Sequence, residues 1–283
     1  MNTFAAVKRS PASLDGKWDK LIETLRPYVS NGLLVAFSGG IDSAFLLWAA
    51  SEAADETTGN VRAITTVSPS VPSKDLEDAK AFARQIGVEH QCIDSYEFEK
   101  EGYTENLGLR CYHCKSTLFE IADDIAATDG FANIAYGYNA TDTGDVRPGH
   151  QAAKEHNILY PLLTTGFTKE EIRTIMDENG FDLAEKPASP CLSSRIMTGV
   201  KVTPEKLHSI EVLETFLREN GLRIFRVRYH EDDDLPFVRV EVAPDEIDAF
   251  LNVKDQFVER AKAENFRWVT LDLEGYKTGG AVK

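Results

Sequence analysis

The stretch VAFSGGIDSAFLL, residues 35–47, decides the fold of this chain. An apolar run of buried-strand type ends at Phe37 and an apolar helical pattern begins at Ile41, so a short loop joins a strand to a helix. Two glycines permit a tight turn whose N–H groups face an anion, and the helix N-terminus adds a favourable dipole. The loop has neither the lysine of a Walker A sequence nor G-x-G-x-x-G spacing. Residues 38–43 therefore predict a different phosphate-binding loop, with a Ser- or Asp-capped glycine turn as the structural alternative.

Strand and helix patterns alternate on both sides of this loop. Helices are expected at 18–29, 41–54, 73–87, 115–130, 169–180, 203–220 and 245–263, and strands at 32–38, 61–67, 89–94, 132–139, 222–230, 237–243 and 267–273. Such alternation predicts an α/β fold, with a parallel sheet covered on both faces and ligands at the carboxyl ends of its strands. The alternation ends near residue 200. We expect a nucleotide-binding domain over 1–200 and a smaller α+β domain over 201–283 that serves substrate binding or oligomerisation.

Composition excludes several classes of protein. The chain has 283 residues, 42% of them apolar, with 31 Lys and Arg against 46 Asp and Glu, giving a net charge of -15. A field of that sign repels nucleic acid and anionic lipid. The longest apolar runs are far shorter than the roughly 20 residues of a membrane span. The first residues show no signal-peptide pattern, so a cytoplasmic protein with a small-molecule substrate is expected.

The cysteines suggest a metal centre. RCYHCK (110–115) places Cys111 and Cys114 at C-x-x-C spacing, and Cys191 follows in KPASPCLSSR. Three thiolates could hold a 4Fe-4S cluster with one iron open to sulfur. A structural zinc site that includes His113 and a redox pair of Cys111 with Cys114 are the alternatives. Cys92, alone in a strand pattern, is expected in the core.

Five segments together resemble the LarE family of ATP-dependent sulfur transferases, which belongs to the PP-loop superfamily. They are SGGIDS (38–43), YGYNATDTGDVRPG (136–149), KPASPCLSSR (186–195), RVRYH (226–230) and RWVTLDLEGY (267–276), and the likeness spans nearly the whole chain. The resemblance implies a PP-loop fold and cleavage of ATP to AMP and pyrophosphate. It further implies that carboxylates of pyridinium-3,5-biscarboxylic acid mononucleotide become thiocarboxylates, a step in making the nickel-pincer cofactor of lactate racemase.

The resemblance also implies roles for individual residues. ATP and pyrophosphate would be bound by Ser38, Gly39, Gly40, Asp42, Ser43, Lys115, Gly137 and Arg147. Asp42 would support the loop or Mg²⁺, and Lys115 and Arg147 are expected on loops that reach the nucleotide. The substrate phosphate would be bound by Ser194, Arg195, Arg226 and Arg228.

Arg226 and Arg228 are two residues apart on one predicted strand and so lie on the same face, where their guanidinium groups can form bidentate hydrogen bonds with a phosphate. An exposed strand edge is the alternative for them. Glu214 and Glu241 match acidic positions near a metal in the family, and solvated surface carboxylates are their alternative.

One departure from the family pattern bears on the sulfur donor. In the sacrificial type a single cysteine, five residues before the arginine of S-S-R, gives up its own sulfur. Here that position is Pro190, and the cysteine is Cys191. The sacrificial type also has a Trp where this chain has Cys111. The pattern is similar to the cluster-bearing type, in which three cysteines, here Cys111, Cys114 and Cys191, would hold the 4Fe-4S centre and act in catalysis.

Other functions stay open at this point. A PP-loop tRNA thiolase, an amide-forming ligase of the NAD or GMP synthetase kind, a sacrificial transferase donating the sulfur of Cys191, and a nucleotide-binding cluster carrier without chemistry all share some of these features. The resemblance implies a homo-oligomer, with a hexamer as one expected form, and hand-over of product to other proteins of nickel-pincer cofactor biosynthesis.

Overall fold

The computed structural model describes residues 12–144, 148–187, 189–233 and 235–277. They form two compact units. The first comprises the described residues within Met1–Val67, Ser73–Ser95 and Cys111–Ala188, and the second those within Ser68–Pro72, Tyr96–Arg110 and Ser189–Lys283.

The first unit is built on a four-stranded parallel sheet. Its strands, in the spatial order β3-β2-β1-β4, are β1 (Leu33–Ala36), β2 (Val61–Val67), β3 (Glu89–Asp94) and β4 (Asn133–Tyr136). Its helices are α1 (Ala12–Ser30), α2 (Ile41–Asp55), α3 (Ser73–Gln85), α5 (Arg110–Asp129), α6 (Pro148–Glu155), α7 (Pro161–Thr165) and α8 (Lys169–Glu178). Between α3 and α5 the chain forms α4 (Glu101–Thr104), which belongs to the second unit.

Helices cover both faces of this sheet. Alternate residues of β1 point to opposite faces, so Leu33 and Val35 join the core formed with α1, α2, α3 and α8, whereas Leu34 and Ala36 join the core formed with α5 and α6. All four residues of β1 are therefore buried, and its sequence is continuously apolar. This central strand leads directly into the loop at 38–40.

The second unit pairs a small mixed sheet with two long helices. Strands β5 (Phe225–Asp232) and β6 (Leu235–Val242) are antiparallel, and β7 (Trp268–Leu271) pairs parallel to β6. The helices are α9 (Pro204–Glu219), which the Thr203 side chain caps, and α10 (Ile247–Ala263). None of the helices in the described part of the chain is long and apolar enough to cross a membrane.

The α/β class and the smaller α+β unit agree with the sequence prediction. The division between the units lies at residues 188 and 189 rather than at 200, because the segment after Pro190 bonds within the second unit: Leu192 donates its N–H to Ser70 and Arg195 pairs with Glu214. Helix α5 starts at Arg110, not at 115, because no helix-breaking residue follows Gly108.

The expected position of Cys92 is wrong. This cysteine is exposed, because β3 is the edge strand of the sheet and most of its residues are exposed. Its sulfur lies 3.9 Å from Nε2 of His90.

Candidate active site

The loop between β1 and α2 is held in shape by its own serines. Ser43 is 3% exposed, and its hydroxyl donates to the Gly40 carbonyl (2.9 Å) and accepts the N–H of Ser38 (3.2 Å). The Ser38 hydroxyl lies 3.2 Å from that of Ser43 and accepts the N–H of Gly40 (3.4 Å). The loop thus has a defined shape before an anion binds, which lowers the ordering cost of binding.

Two glycines are required by close backbone approach. Gly39 has φ +72°, and a Cβ there would lie 2.9 Å from the carbonyl oxygen of Asp75. A Cβ on Gly137, just after β4, would lie 2.7 Å from the Ser43 nitrogen and 2.8 Å from its Cα. Because β4 neighbours β1, Gly137 brings the end of β4 against the first turn of α2. The predicted importance of both glycines therefore has a steric basis.

Asp42, in the first turn of α2, connects the loop to two other segments. Its carboxylate accepts the Nδ2 of Asn139 (3.1 Å) and the Nζ of Lys169 (3.0 Å). Asn139 is fully buried, and Lys169 is the first residue of α8 after the capping residue Thr168. These contacts favour the loop-supporting role predicted for Asp42, and they place a second cation, Lys169, beside the loop.

Lys115 lies on α5, so its expected place on a loop is wrong. Its Nζ is 4.3 Å from the centre of the Tyr136 ring, at the end of β4, in a cation–π contact. Burial acts to lower the pKa of Lys115, but the nearby Tyr136 and Cys114 outweigh it and the pKa is raised above its ordinary value. Lys115 therefore keeps the charge that a phosphate would require. Arg147 lies outside the described residues.

Cys111 and Cys114 are one helical turn apart on α5. Cys111 is exposed, Cys114 is half-buried, and neither is in a disulfide. Residues three apart on a helix share a face, so these two sulfurs are placed as a pair. Within the described ranges, no group of three or more His, Cys, Asp or Glu side chains is arranged to hold a metal ion.

In the second unit, Arg195 holds the backbone around Cys191. Arg195 is 2% exposed and donates to both carboxylate oxygens of Glu214, from Nε at 2.9 Å and from Nη2 at 3.0 Å. Its Nη1 donates to the carbonyls of Pro190 and Cys191, the latter at 3.2 Å. Glu214 is on α9, so this pair fastens the Cys191 loop to that helix.

Arg228 repeats this arrangement from β5. It donates to both oxygens of Glu241 (3.0 and 2.9 Å) and to the carbonyl of Ser194 (3.0 Å). Arg226, on the same strand face, donates to the Phe225 carbonyl (2.7 Å) and lies 5.0 Å from the ring of Tyr276. Burial, together with the nearby charge of Arg195, lowers the pKa of Arg226.

The alternative predictions, which placed Arg226 and Arg228 on an exposed strand edge and Glu214 and Glu241 on the solvated surface, are wrong. Arg226 and Arg228 are 9% and 4% exposed, and Glu214 and Glu241 are each 2% exposed. Both oxygens of each glutamate accept hydrogen bonds from a guanidinium group, and metal ligation by Glu214 and Glu241 stays a prediction. Three buried arginines face two buried glutamates, and such an excess of positive charge suits an anion. Phosphate binding by Ser194, Arg195, Arg226 and Arg228 stays a prediction.

Sequence reasoning missed Asn139, Lys169 and Tyr103. Asn139 stands inside the segment YGYNATDTGDVRPG, so its signal was available. Lys169 gave a weak one, because the helix dipole favours acidic residues at a helix N-terminus and a lysine there is unfavourable. Tyr103, whose hydroxyl is 2.7 Å from that of Ser193, lies 90 residues earlier in the chain.

Comparison with known proteins agrees with this site. The family model for NAD synthase matches residues 16–108, which contain the loop. The chain is 38% identical over 262 residues to the uncharacterized protein slr1717 of Synechocystis, covering 91% of this chain and 95% of that one. It is 30% identical over 245 residues to the pyridinium-3,5-bisthiocarboxylic acid mononucleotide synthase of Lactiplantibacillus plantarum, covering 87% of both chains. A tRNA-specific 2-thiouridylase of Rickettsia typhi is 26% identical, and the match covers 56% of this chain and 53% of the thiouridylase.

A serine- and glycine-rich phosphate loop at the carboxyl end of a central parallel strand defines an ATP-using enzyme of the PP-loop class. Within that class, the chain belongs to the LarE family and is a sulfurtransferase.

Proposed function

We propose that this chain uses ATP to adenylate a carboxylate of pyridinium-3,5-biscarboxylic acid mononucleotide and then replaces AMP with sulfur, as a step of nickel-pincer cofactor biosynthesis. The observation that carries the proposal is the preformed loop at 38–43 in a chain that shares 30% identity, over 87% of both lengths, with a synthase of the bisthiocarboxylic acid mononucleotide.

In the first step, a substrate carboxylate oxygen attacks the α phosphorus of ATP. A new O–P bond forms, the bond to the bridging oxygen breaks, and pyrophosphate leaves with the electron pair. Loop N–H groups and the N-terminus of α2 would bind the leaving pyrophosphate. Lys169 and Lys115 supply positive charge within the same unit, and Mg²⁺ bound to the phosphates would neutralise more. Asp42 supports the loop through Asn139 and Lys169.

In the second step, hydrosulfide or its carrier attacks the acyl carbon of the adenylate. A C–S bond forms, the C–O bond to AMP breaks, and one proton is released, leaving a thiocarboxylate. We propose that Cys111, Cys114 and Cys191 would hold a 4Fe-4S cluster, which would supply an open iron for sulfur and make turnover catalytic.

The test of the reaction follows pyrophosphate, AMP and thiocarboxylate together. With ATP, Mg²⁺, sulfide and the biscarboxylic acid mononucleotide, pyrophosphate should form only when the carboxylate substrate is present, and mass spectrometry should detect the thiocarboxylate. ATP binding without pyrophosphate release would refute the enzyme and indicate a nucleotide-binding carrier.

Metal content tests the sulfur carrier separately. Protein purified without oxygen should contain about four irons per chain and absorb broadly near 400 nm. Cys111→Ala, Cys114→Ala and Cys191→Ala should each lose iron and colour, whereas Cys92→Ala, the matched exposed cysteine, should keep both. One zinc in a colourless protein would contradict the cluster. Loss of sulfur from Cys191 in the product protein would instead indicate sacrificial transfer.

A tRNA thiolase is the second candidate, favoured by the thiouridylase relatives. Their match covers about half of their length, and a net charge of -15 disfavours a polyanionic substrate. Incorporation of sulfur into tRNA, and none into the mononucleotide, would select this alternative. Homo-oligomer formation and product hand-over to other proteins of the same biosynthesis are further proposals, the first of which light scattering can test.

A further inference from the structure

A buried polar network in the second unit lies next to the Cys191 loop, and neither proposed step uses it. Tyr103 is 1% exposed, Glu97 2%, Ser70 3% and Ser193 0%. A buried polar side chain whose hydrogen bonds are not made destabilises the fold, so four together require a closed set of partners.

The contacts join three separate chain segments. Oε1 of Glu97 accepts the hydroxyls of Ser68 and Ser70, each at 2.7 Å. The Ser70 carbonyl accepts the N–H of Leu192 (2.8 Å), and the Tyr103 hydroxyl lies 2.7 Å from that of Ser193. The two residues that follow Cys191 are therefore held by backbone and side-chain bonds to segments 68–72 and 96–110.

The Cys191 backbone also accepts hydrogen bonds from residues that follow it in the same loop. Its carbonyl accepts the N–H of Ser194 (2.9 Å) and Nη1 of Arg195 (3.2 Å). Arg195 in turn pairs with Glu214 on α9. One set of hydrogen bonds therefore connects the Cys191 loop to α9 through Arg195, and a second set connects Leu192 and Ser193 to Ser70 and Tyr103. Removing the second set would leave the loop held by Arg195 and by Arg228, which donates to the Ser194 carbonyl.

We propose that Tyr103, supported by Ser70 and Glu97, is a positioning residue that fixes Cys191 through Ser193 for delivery of sulfur to the acyl-adenylate. The inference rests on the proposed function in assigning Cys191 to the second step. A misplacement of about 1 Å can cost roughly 10²-fold in rate. If Cys191 is displaced, water gains time to hydrolyse the adenylate, and ATP is consumed without product.

The test is the ratio of AMP formed to thiocarboxylate formed. Tyr103→Phe removes one hydroxyl and keeps the ring, whose centroid is 5.0 Å from that of Phe98. This variant should raise the ratio about tenfold or more, with the rate of pyrophosphate release within twofold of wild type. Tyr229→Phe is the matched control, because the Tyr229 hydroxyl bonds Glu231 (3.1 Å) in the same unit, and it should leave the ratio unchanged.

A purely structural role predicts a different result. If Tyr103 only stabilises the fold, Tyr103→Phe lowers the amounts of AMP and thiocarboxylate in parallel and leaves their ratio unchanged. That outcome would overturn the inference. Ser193→Ala removes the same hydrogen bond from the other side and should reproduce the effect if Tyr103→Phe fails to fold. A wild-type chain that releases no pyrophosphate would refute the proposed function itself, whereas a coupled wild type with an unchanged Tyr103→Phe ratio refutes only the positioning role.

Discussion

Gly137→Ala should separate phosphate-loop geometry from the rest of the fold. The added methyl would lie 2.7 Å from the Ser43 nitrogen, 2.8 Å from its Cα and 2.9 Å from the Asp42 carbonyl carbon. Each is a backbone atom, so no side-chain rotation relieves the overlap. Ordinary contact begins near 3.4 Å, and the loop must therefore move by about 0.7 Å.

Two effects of different size follow. Overpacking of this kind costs about 1–3 kcal/mol of unfolding free energy, which most folded domains survive. A loop displaced by most of an ångström should lower carboxylate-dependent pyrophosphate release by roughly 30–100-fold. The variant should therefore be a folded protein with a large kinetic defect, seen as a low kcat in the pyrophosphate assay alongside a cooperative urea transition.

Gly16→Ala is the matched control. A Cβ at Gly16, on an exposed face of α1, meets nothing within 4 Å. This change should preserve activity and raise stability by about 0.5–1 kcal/mol, because alanine favours a helix. Wild-type pyrophosphate release from Gly137→Ala would refute the close approach between β4 and α2 and the steric reasoning built on it.

Three further perturbations probe charges. Lys169→Met removes the ion pair with Asp42 and should slow pyrophosphate release about tenfold. Because Lys169 is partly exposed, the unfolding free energy should change by less than about 1 kcal/mol. An unchanged rate of pyrophosphate release would exclude Lys169 from the site. Glu214→Gln leaves the buried charge of Arg195 uncompensated and should lower the unfolding free energy, measured by urea denaturation, by about 3–5 kcal/mol. Glu56→Gln removes an exposed ion pair with Arg26 and should change the unfolding free energy by less than about 1 kcal/mol. Burial lowers the pKa of His230 to about 4, so the folded state binds this proton less readily than the unfolded state does. The contribution of neutral His230 to stability is therefore full above pH 6.5 and is lost as the pH falls toward 4. His230→Gln should flatten that part of the curve of unfolding free energy against pH.

Much of the fold could be predicted from local sequence. The β1 run and the glycines at 39 and 40 act through neighbouring residues, so their pattern predicted strand, loop and helix correctly. The position of Cys92 was wrong because a strand pattern does not reveal which strand lies at the edge of a sheet. The helical position of Cys111 and Cys114 was missed because C-x-x-C spacing fits both a loop and a helix turn.

The sequence by itself determined the α/β class, the phosphate loop and the family, because these depend on periodicity and on short motifs within single segments. Only the tertiary structure showed that Asp42 is held by Asn139 and Lys169, that Arg195 and Arg228 hold the Cys191 loop through buried glutamates, and that Tyr103 reaches Ser193. These partners lie up to 127 residues apart. Their pairing depends on which segments the core brings together, and no local pattern encodes that distance.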